Sequence, residues 1–207
     1  MTKRLLSGAA AFPGCQIVVL MVTVLIFAGM PVVSAWTAIA ADLDGVSMPP
    51  VISVAGHTLR LNGMGLRTYS IFHVHIYVAG LYLERPTSDA EAILQSDQMK
   101  LMMIRFVHDV SADQSRQAWS DALAENCVAP CHLSSADEAL FLSLVPPFHR
   151  GDESVMLFDD HSAQISVNGR HIGTVTDPAF ARTLLANFIG RYPPTEAVRR
   201  GLLGIAN

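Results

Sequence analysis

The stretch "NGMGLRTYSIFHVHIYVAGLYLE", Asn62 to Glu84, decides how this chain folds. Its aromatic and β-branched residues mark sheet rather than helix. "RTYSIF" and "HVHIYVAGLYLE" read as a strand pair or as one long bent strand, and Pro86 ends the run. One arginine, Arg67, stands at the mouth of this sheet, just after Gly63 and Gly65. A guanidinium cannot shed its charge, so a partly buried one needs an anion. Glycine lets backbone or ligand approach closely. Two readings follow. Arg67 grips a carboxylate or a developing enolate, or it is a surface arginine paired with an acid. The glycine pair is no dinucleotide fingerprint, which needs a third glycine near Thr68 and a helix afterwards.

Working outward, "VISVAG" and "HTLRLNG" precede the stretch as two short strands around Gly56, and "SDAEAILQ" follows it as a short helix capped by Ser88. "KLMMIRFV" (Lys100–Val107) is the next strand. A helix starts at Ser111, with Ala118, Trp119, Ala122 and Leu123 at helical spacing. A second is capped at Ser134 or Ser135 and closed by Pro146-Pro147. A β-meander comes next, with Asn168-Gly169 as a hairpin signal. "DPAFARTLLANFIG" has an Asp177 cap and Pro178 at its first position. "PTEAVRRGLLG" is the last helix. Strands joined by hairpins, with helices gathered in the second half, predict an α+β fold: an antiparallel sheet with helices on one side.

The chain has 207 residues, 51% apolar and 15% charged, which suits one domain with a real core. Residues 1–40 hold Lys3, Arg4, no acid, and the uncharged block Ile17–Met30. Small residues at Ala38 and Ala40 follow. This order of parts predicts a secretory signal peptide over residues 1–40, cleaved after Ala35 or Ala40. An uncleaved membrane anchor is the alternative, and would be the chain's membrane contact. Residues 41–49 read as a flexible lead-in ending at Pro49-Pro50, and residues 50–207 as the domain. Without Lys3 and Arg4, the fourteen bases become twelve against eighteen acids, a net charge of −6. No basic cluster survives, which argues against nucleic-acid binding.

Of the three cysteines, Cys15 lies in the leader. Cys127 and Cys131 ("CVAPC") either pair in an oxidising compartment or stay as two ordinary thiols. His132 adjoins them, but no second pair of ligands completes a zinc site. His73 and His75 would share one strand face, as a weak metal pair or as solvent-facing histidines. No Gly-x-Ser-x-Gly elbow supports a hydrolase. Asp152-Glu153 and Asp159-Asp160 lie at strand ends, and little supports a glycosidase. Trp119 and Asn126, seven apart on one helix face, read either as a cleft wall with a polar handle or as core and helix end.

The order "GMGLR…YVAGLYLE", a strand, a helix ending "ENCVA", then "NFIGRYPP" resembles the chalcone isomerase-like family, and most of all its bacterial secreted branch. The resemblance covers roughly residues 50–205. It implies an open-faced β-sandwich, a large antiparallel sheet covered by a layer of helices. It also implies either closure of a chalcone by intramolecular oxa-Michael addition, or non-catalytic fatty-acid binding, or a helper role with a filled cleft. No cofactor is implied. The family's arginine falls on Arg67 and its helix asparagine on Asn126. Its catalytic tyrosine falls on Trp119, its strand threonine near Tyr77 and its late-helix hydroxyl near Ala181. Trp119 has only an N–H donor and Ala181 none, whereas cyclisation needs several ordering groups. Binding an amphipathic carboxylate needs less: Arg67 for the head, Tyr77 to assist, and an apolar cleft for the tail, lined by Trp119 and Asn126. The expected protein is therefore a secreted, periplasmic binder of a fatty acid or similar ligand. An enone-cyclising enzyme using Arg67 and Tyr77 is the alternative.

Overall fold

The structure, a computed structural model, describes residues 40–127, 129 and 131–205. Both readings of residues 1–40, cleaved leader or anchor, lie outside the described residues save for Ala40. Seven strands form one antiparallel sheet in strict sequence order: β3 (Val51–Val54), β4 (His57–Tyr69), β5 (Val74–Leu83), β6 (Lys100–Phe106), β7 (Glu153–Phe158), β8 (Ala163–Val167) and β9 (Arg170–Val175). The helices are α1 (Ala90–Gln95), α2 (Ala112–Asn126), α3 (Ser135–Leu144), α4 (Pro178–Ile189) and α5 (Glu196–Leu202). α2 opens with a full capping box of Ser111 and Gln114, and α4 with Asp177 and Pro178. The cap of α1 is Asp89, whose carboxylate takes the amides of Glu91 and Ala92, rather than Ser88.

The stretch that opened the sequence is two strands. β4 runs thirteen residues, absorbing "HTLRLNG" and "RTY", and turns over residues 70–73 into β5. Side chains of β5 alternate between two cores. Ala79, Leu81 and Leu83 join the large core under the helices, while Val78 and Tyr82 join a smaller one on the opposite face. The pairing skips a residue between Arg67↔Tyr77 and Thr68↔His75, which is a β-bulge. The bulge turns His75 away from the face of Tyr77, and it meets Asp44 at 2.9 Å. His73 sits in the turn. The two histidines therefore do not share a strand face, and among the described residues no His, Cys, Asp or Glu group could hold a metal.

Residues 41–49 correct a second expectation. Instead of a flexible lead-in they form a hairpin, β1 (Ala41–Leu43) and β2 (Val46–Met48), around Asp44-Gly45. Both turn residues have left-handed φ, at 53° and 72°, so Asp-Gly, flanked by Leu43 and Val46, is the hairpin signal that the sequence reading passes over. Met48 is fully buried, and a Cβ on Gly80 would lie 2.3 Å from its sulfur. The hairpin thus covers the small core on the face opposite the helices.

Gly63 and Gly65 seat α5 on the sheet. A Cβ on Gly63 would lie 2.1 Å from the Gly201 carbonyl oxygen, and one on Gly65 would lie 2.6 Å from that of Val198. Gly201 returns the contact, since its own Cβ would lie 2.2 Å from the Met64 oxygen. The close approach is backbone on backbone, and nothing soft can yield. Gly65→Ala is expected to cost about 3 kcal/mol by overpacking and to lower Tm by roughly 6–12 °C in a thermal melt. An unchanged Tm would mean that α5 does not rest on this strand.

Candidate functional site

Arg67 follows Gly63 and Gly65 on the helix-facing side of β4, and Tyr77 is its direct cross-strand partner on β5. Opposed positions in a sheet bring two side chains into contact range. The Arg67 guanidinium donates through Nη1 to the Pro194 carbonyl, in the loop between α4 and α5. That is one of its five donors, and among the described residues Arg67 meets no carboxylate. An arginine paired with an acid is therefore not what the fold builds. Arg67 is partly buried, and a carbonyl dipole alone leaves its charge unneutralised.

Tyr77 is also partly buried, and burial pushes its phenol up to about 12, with the positive charge of Arg67 pulling the other way. Its hydroxyl has no hydrogen-bond partner among the described residues. Among the described residues no fully buried side-chain N or O lacks a partner, so this hydroxyl keeps some accessible surface. The pair thus offers a cation and a neutral O–H donor side by side, both with spare capacity and both short of an acceptor.

Asn126 and Arg67 hold the same loop from two sides. The Asn126 amide donates to Ala122 O at 3.0 Å and Tyr192 O at 2.9 Å, and accepts from Tyr192 N at 3.3 Å. Its polar atoms are committed to backbone. Trp119 packs edge-on to Phe141 at 5.2 Å and to Phe188 at 5.7 Å. It borders a small hollow of about 20 Å³, also lined by Phe141, Val145, Phe148, Ile165 and Ile172. Ala181 is buried in α4 without a hydroxyl to offer. Cys127 and Cys131 are joined as a disulfide, with Cα atoms 5.1 Å apart, just beyond α2.

Two features escaped the sequence. The first is an aromatic path. Tyr77 meets Phe106 edge-on at 5.8 Å, Phe106 stacks on Phe148 at 4.1 Å, and Phe148 lines the hollow beside Trp119. Only the register Tyr77↔Phe106 and the bridge Val110↔Phe148 reveal it. The second is Asn187, buried in α4, whose amide NH2 in its satisfied orientation donates to Ala122 O at 2.9 Å and Thr183 O at 3.1 Å. A polar pair four apart in an apolar helix was its signal. A larger open hollow, about 570 Å³, lies elsewhere, between the β1–β2 turn, His75, Arg105 and Arg150.

A family model described as chalcone isomerase-like matches residues 40–204. The chain belongs to the chalcone isomerase-like family. Its match begins at the β1–β2 hairpin, so that hairpin lies inside the matched region. Among solved structures, the chain is similar to a fatty-acid binding protein of Arabidopsis thaliana, with a TM-score of 0.65 and 19% identity. The similarity covers 79% of this chain and 95% of the plant protein, and it shows the shared fold. No curated protein matches the sequence. The expected α+β fold, a large antiparallel sheet under a layer of helices, is the one found.

The raised phenols give a pH signature. Tyr82, buried on the opposite face with its hydroxyl donating to Pro49 O, is likewise pushed up to about 12, chiefly by burial. Below pH 10 both tyrosines hold their protons folded or unfolded, and contribute nothing. Between the ordinary value of 10.0 and about 12, the unfolded chain releases them first, so stability falls as pH rises. Urea melts across this window are expected to show that decline, and Tyr77→Phe should make it shallower. An identical slope in the variant would contradict the desolvated position of Tyr77.

Proposed function

We propose that this protein binds a fatty acid or similar amphipathic carboxylate, with the head group held by Arg67 and Tyr77. The observation that carries the reading is the pair itself: a partly buried guanidinium that meets no acid among the described residues, beside a phenol that has no hydrogen-bond partner among them. A carboxylate supplies what both lack, an acceptor with negative charge. With its phenol pushed up to about 12, Tyr77 stays a neutral donor from the pH at which a fatty acid ionises up to that value. The tail would follow Phe106 and Phe148 toward the hollow beside Trp119. Ligand cavities span roughly 300–1,000 Å³, against about 20 Å³ here. Loading therefore requires α2 and α3 to move off the sheet. Asn126 acts by fixing the loop that carries Pro194, and so by setting where Arg67 points.

The likeness to a plant fatty-acid binding protein supports this reading over cyclisation of an enone, as do Trp119 and Ala181 in place of hydroxyl-bearing partners. Secretion to an oxidising compartment such as the periplasm is part of the proposal. The acid-free apolar leader and the Cys127–Cys131 bond support it.

The test is the lipid that co-purifies. Wild-type protein should carry fatty acid at near one equivalent. Arg67→Ala should lose at least tenfold in affinity, as expected when a charge-assisted contact of about 1.5–3 kcal/mol is removed. Tyr77→Phe should lose less. Equal fatty-acid content in wild type and Arg67→Ala would sink the anchor. Chalcone cyclisation should run no faster with the protein than in buffer. A rate above buffer that Arg67→Ala abolishes would favour the enzyme instead.

A further inference from the structure

Among the described residues, the two most exposed large apolar side chains are neighbours. Ile71 is 85% exposed and Phe72 is 82% exposed, at the turn that joins β4 to β5. The turn is a built one. The His73 amide donates to Ser70 O at 3.2 Å, and the Phe72 amide to Ser70 Oγ at 3.3 Å. Ser70 and His73 both take left-handed φ, at 64° and 50°. The turns at Asp44-Gly45, Ala55-Gly56 and Asn168-Gly169 each place a glycine in that region. This one uses none, accepts the backbone cost, and leaves two large apolar groups in water. Strain and exposure with no return in packing point to an occupant outside the molecule.

The surroundings say which occupant. Tyr69, 64% exposed, lies two residues from Arg67 toward the turn. The loop tied to Arg67 through Pro194 carries Tyr192, 40% exposed, with the Arg191 guanidinium 5.4 Å over its ring. Several acids near this end of the sheet are engaged: Asp44 by His75, Glu153 by Arg105, Asp109 by the Arg150 amide, and Asp152 by the His149 amide and Asn168; Glu196 meets Arg199, and Glu125 on α2 is exposed. An exposed apolar turn with Tyr69 beside it, and Tyr192 and Arg191 on the loop tied to Arg67, matches the layering of a bilayer surface, where amphipathic rings and guanidinium groups rest at the headgroups. A protein partner would need roughly 800 Å² of buried surface on this side, which a two-residue point does not offer.

We propose that the turn at residues 70–73 is a membrane-docking tip. Ile71 and Phe72 enter the acyl boundary of a lipid bilayer, while Tyr69, Tyr192 and Arg191 lie at the headgroups. Docking here sets Arg67 and Tyr77 a few residue pairs behind the lipid surface. The proposal stands apart from the ligand reading, and its test contains no fatty acid.

The test uses the full chain carrying Phe72→Trp, with the wild-type spectrum subtracted to remove Trp36 and Trp119. Phosphatidylcholine vesicles with brominated acyl chains are then added. The introduced indole is expected to shift to the blue and to lose at least half its emission, equally well with Arg67→Ala alongside. Reading the tip itself separates its insertion from any membrane contact of residues 1–40. Adding Ile71→Asp should raise the lipid concentration needed by roughly tenfold or more, as expected for losing one buried apolar side chain. An indole that stays solvent-like at saturating vesicles would overturn the proposal. So would a blue shift that needs no vesicles and grows with protein concentration, because the tip would then dock on a second copy of the chain.

Discussion

The contact on which this structure depends is the seating of α5 against β4. Gly63 and Gly65 on the strand and Gly201 on the helix let two backbones touch where side chains would hold them apart. Helix and sheet normally interleave side chains. Here the helix sits directly on the strand, so its N-terminal end is fixed to within the small tolerance of a close-packed interior. That end, capped by Thr195, continues the loop whose Pro194 carbonyl meets Arg67. Asn126 holds the same loop from α2 through both the N–H and the C=O of Tyr192. The position of the helix layer and the aim of the guanidinium are thus set together.

The consequence is an electrostatic imbalance with a defined place. Arg67 brings a permanent charge to the helix-facing side of the sheet and, among the described residues, its one hydrogen-bond partner there is a carbonyl. Tyr77 brings a hydroxyl that burial keeps protonated. Elsewhere among the described residues polar side chains are well served. Lys100 donates to two carbonyls, and Asn187 and Thr183 bond to the backbone of the helices. Against that background the Arg67–Tyr77 pair stands out as capacity held in reserve. Behind it Phe106 stacks on Phe148, and Phe148 and Trp119 line one hollow of about 20 Å³. On the proposed reading, an acyl tail entering behind this pair has to separate helices from sheet, since that hollow is too small to hold it.

Much of this was legible in the sequence, for physical reasons. Side-chain alternation and turn chemistry marked the meander, and the caps Ser111 and Asp177 marked two helices. The glycine–arginine spacing singled out Arg67. What the sequence concealed depended on pairing. The bulge that sends His75 to the far face is a property of the β4–β5 register, and no single strand displays it. The purpose of Gly63 and Gly65 was hidden for the same reason, because α5 lies more than 130 residues away along the chain. The β1–β2 hairpin was missed because each of its strands is only three residues long, although Asp44-Gly45 stands between Leu43 and Val46 and Met48 closes the small core. Trp119 and Asn126 sit on one helix as expected, yet they serve different neighbours: the first an aromatic cluster, the second a loop.

The central claim is that Arg67 and Tyr77 together form a seat for a carboxylate. It is tested most directly by titrating a fatty acid labelled with ¹³C at its carboxyl carbon in complex with the protein. An adjacent guanidinium stabilises the ionised head group, so the bound carboxyl should titrate well below the free acid in wild type and move back upward in Arg67→Ala. A bound carboxyl whose titration is the same in both proteins would contradict the account.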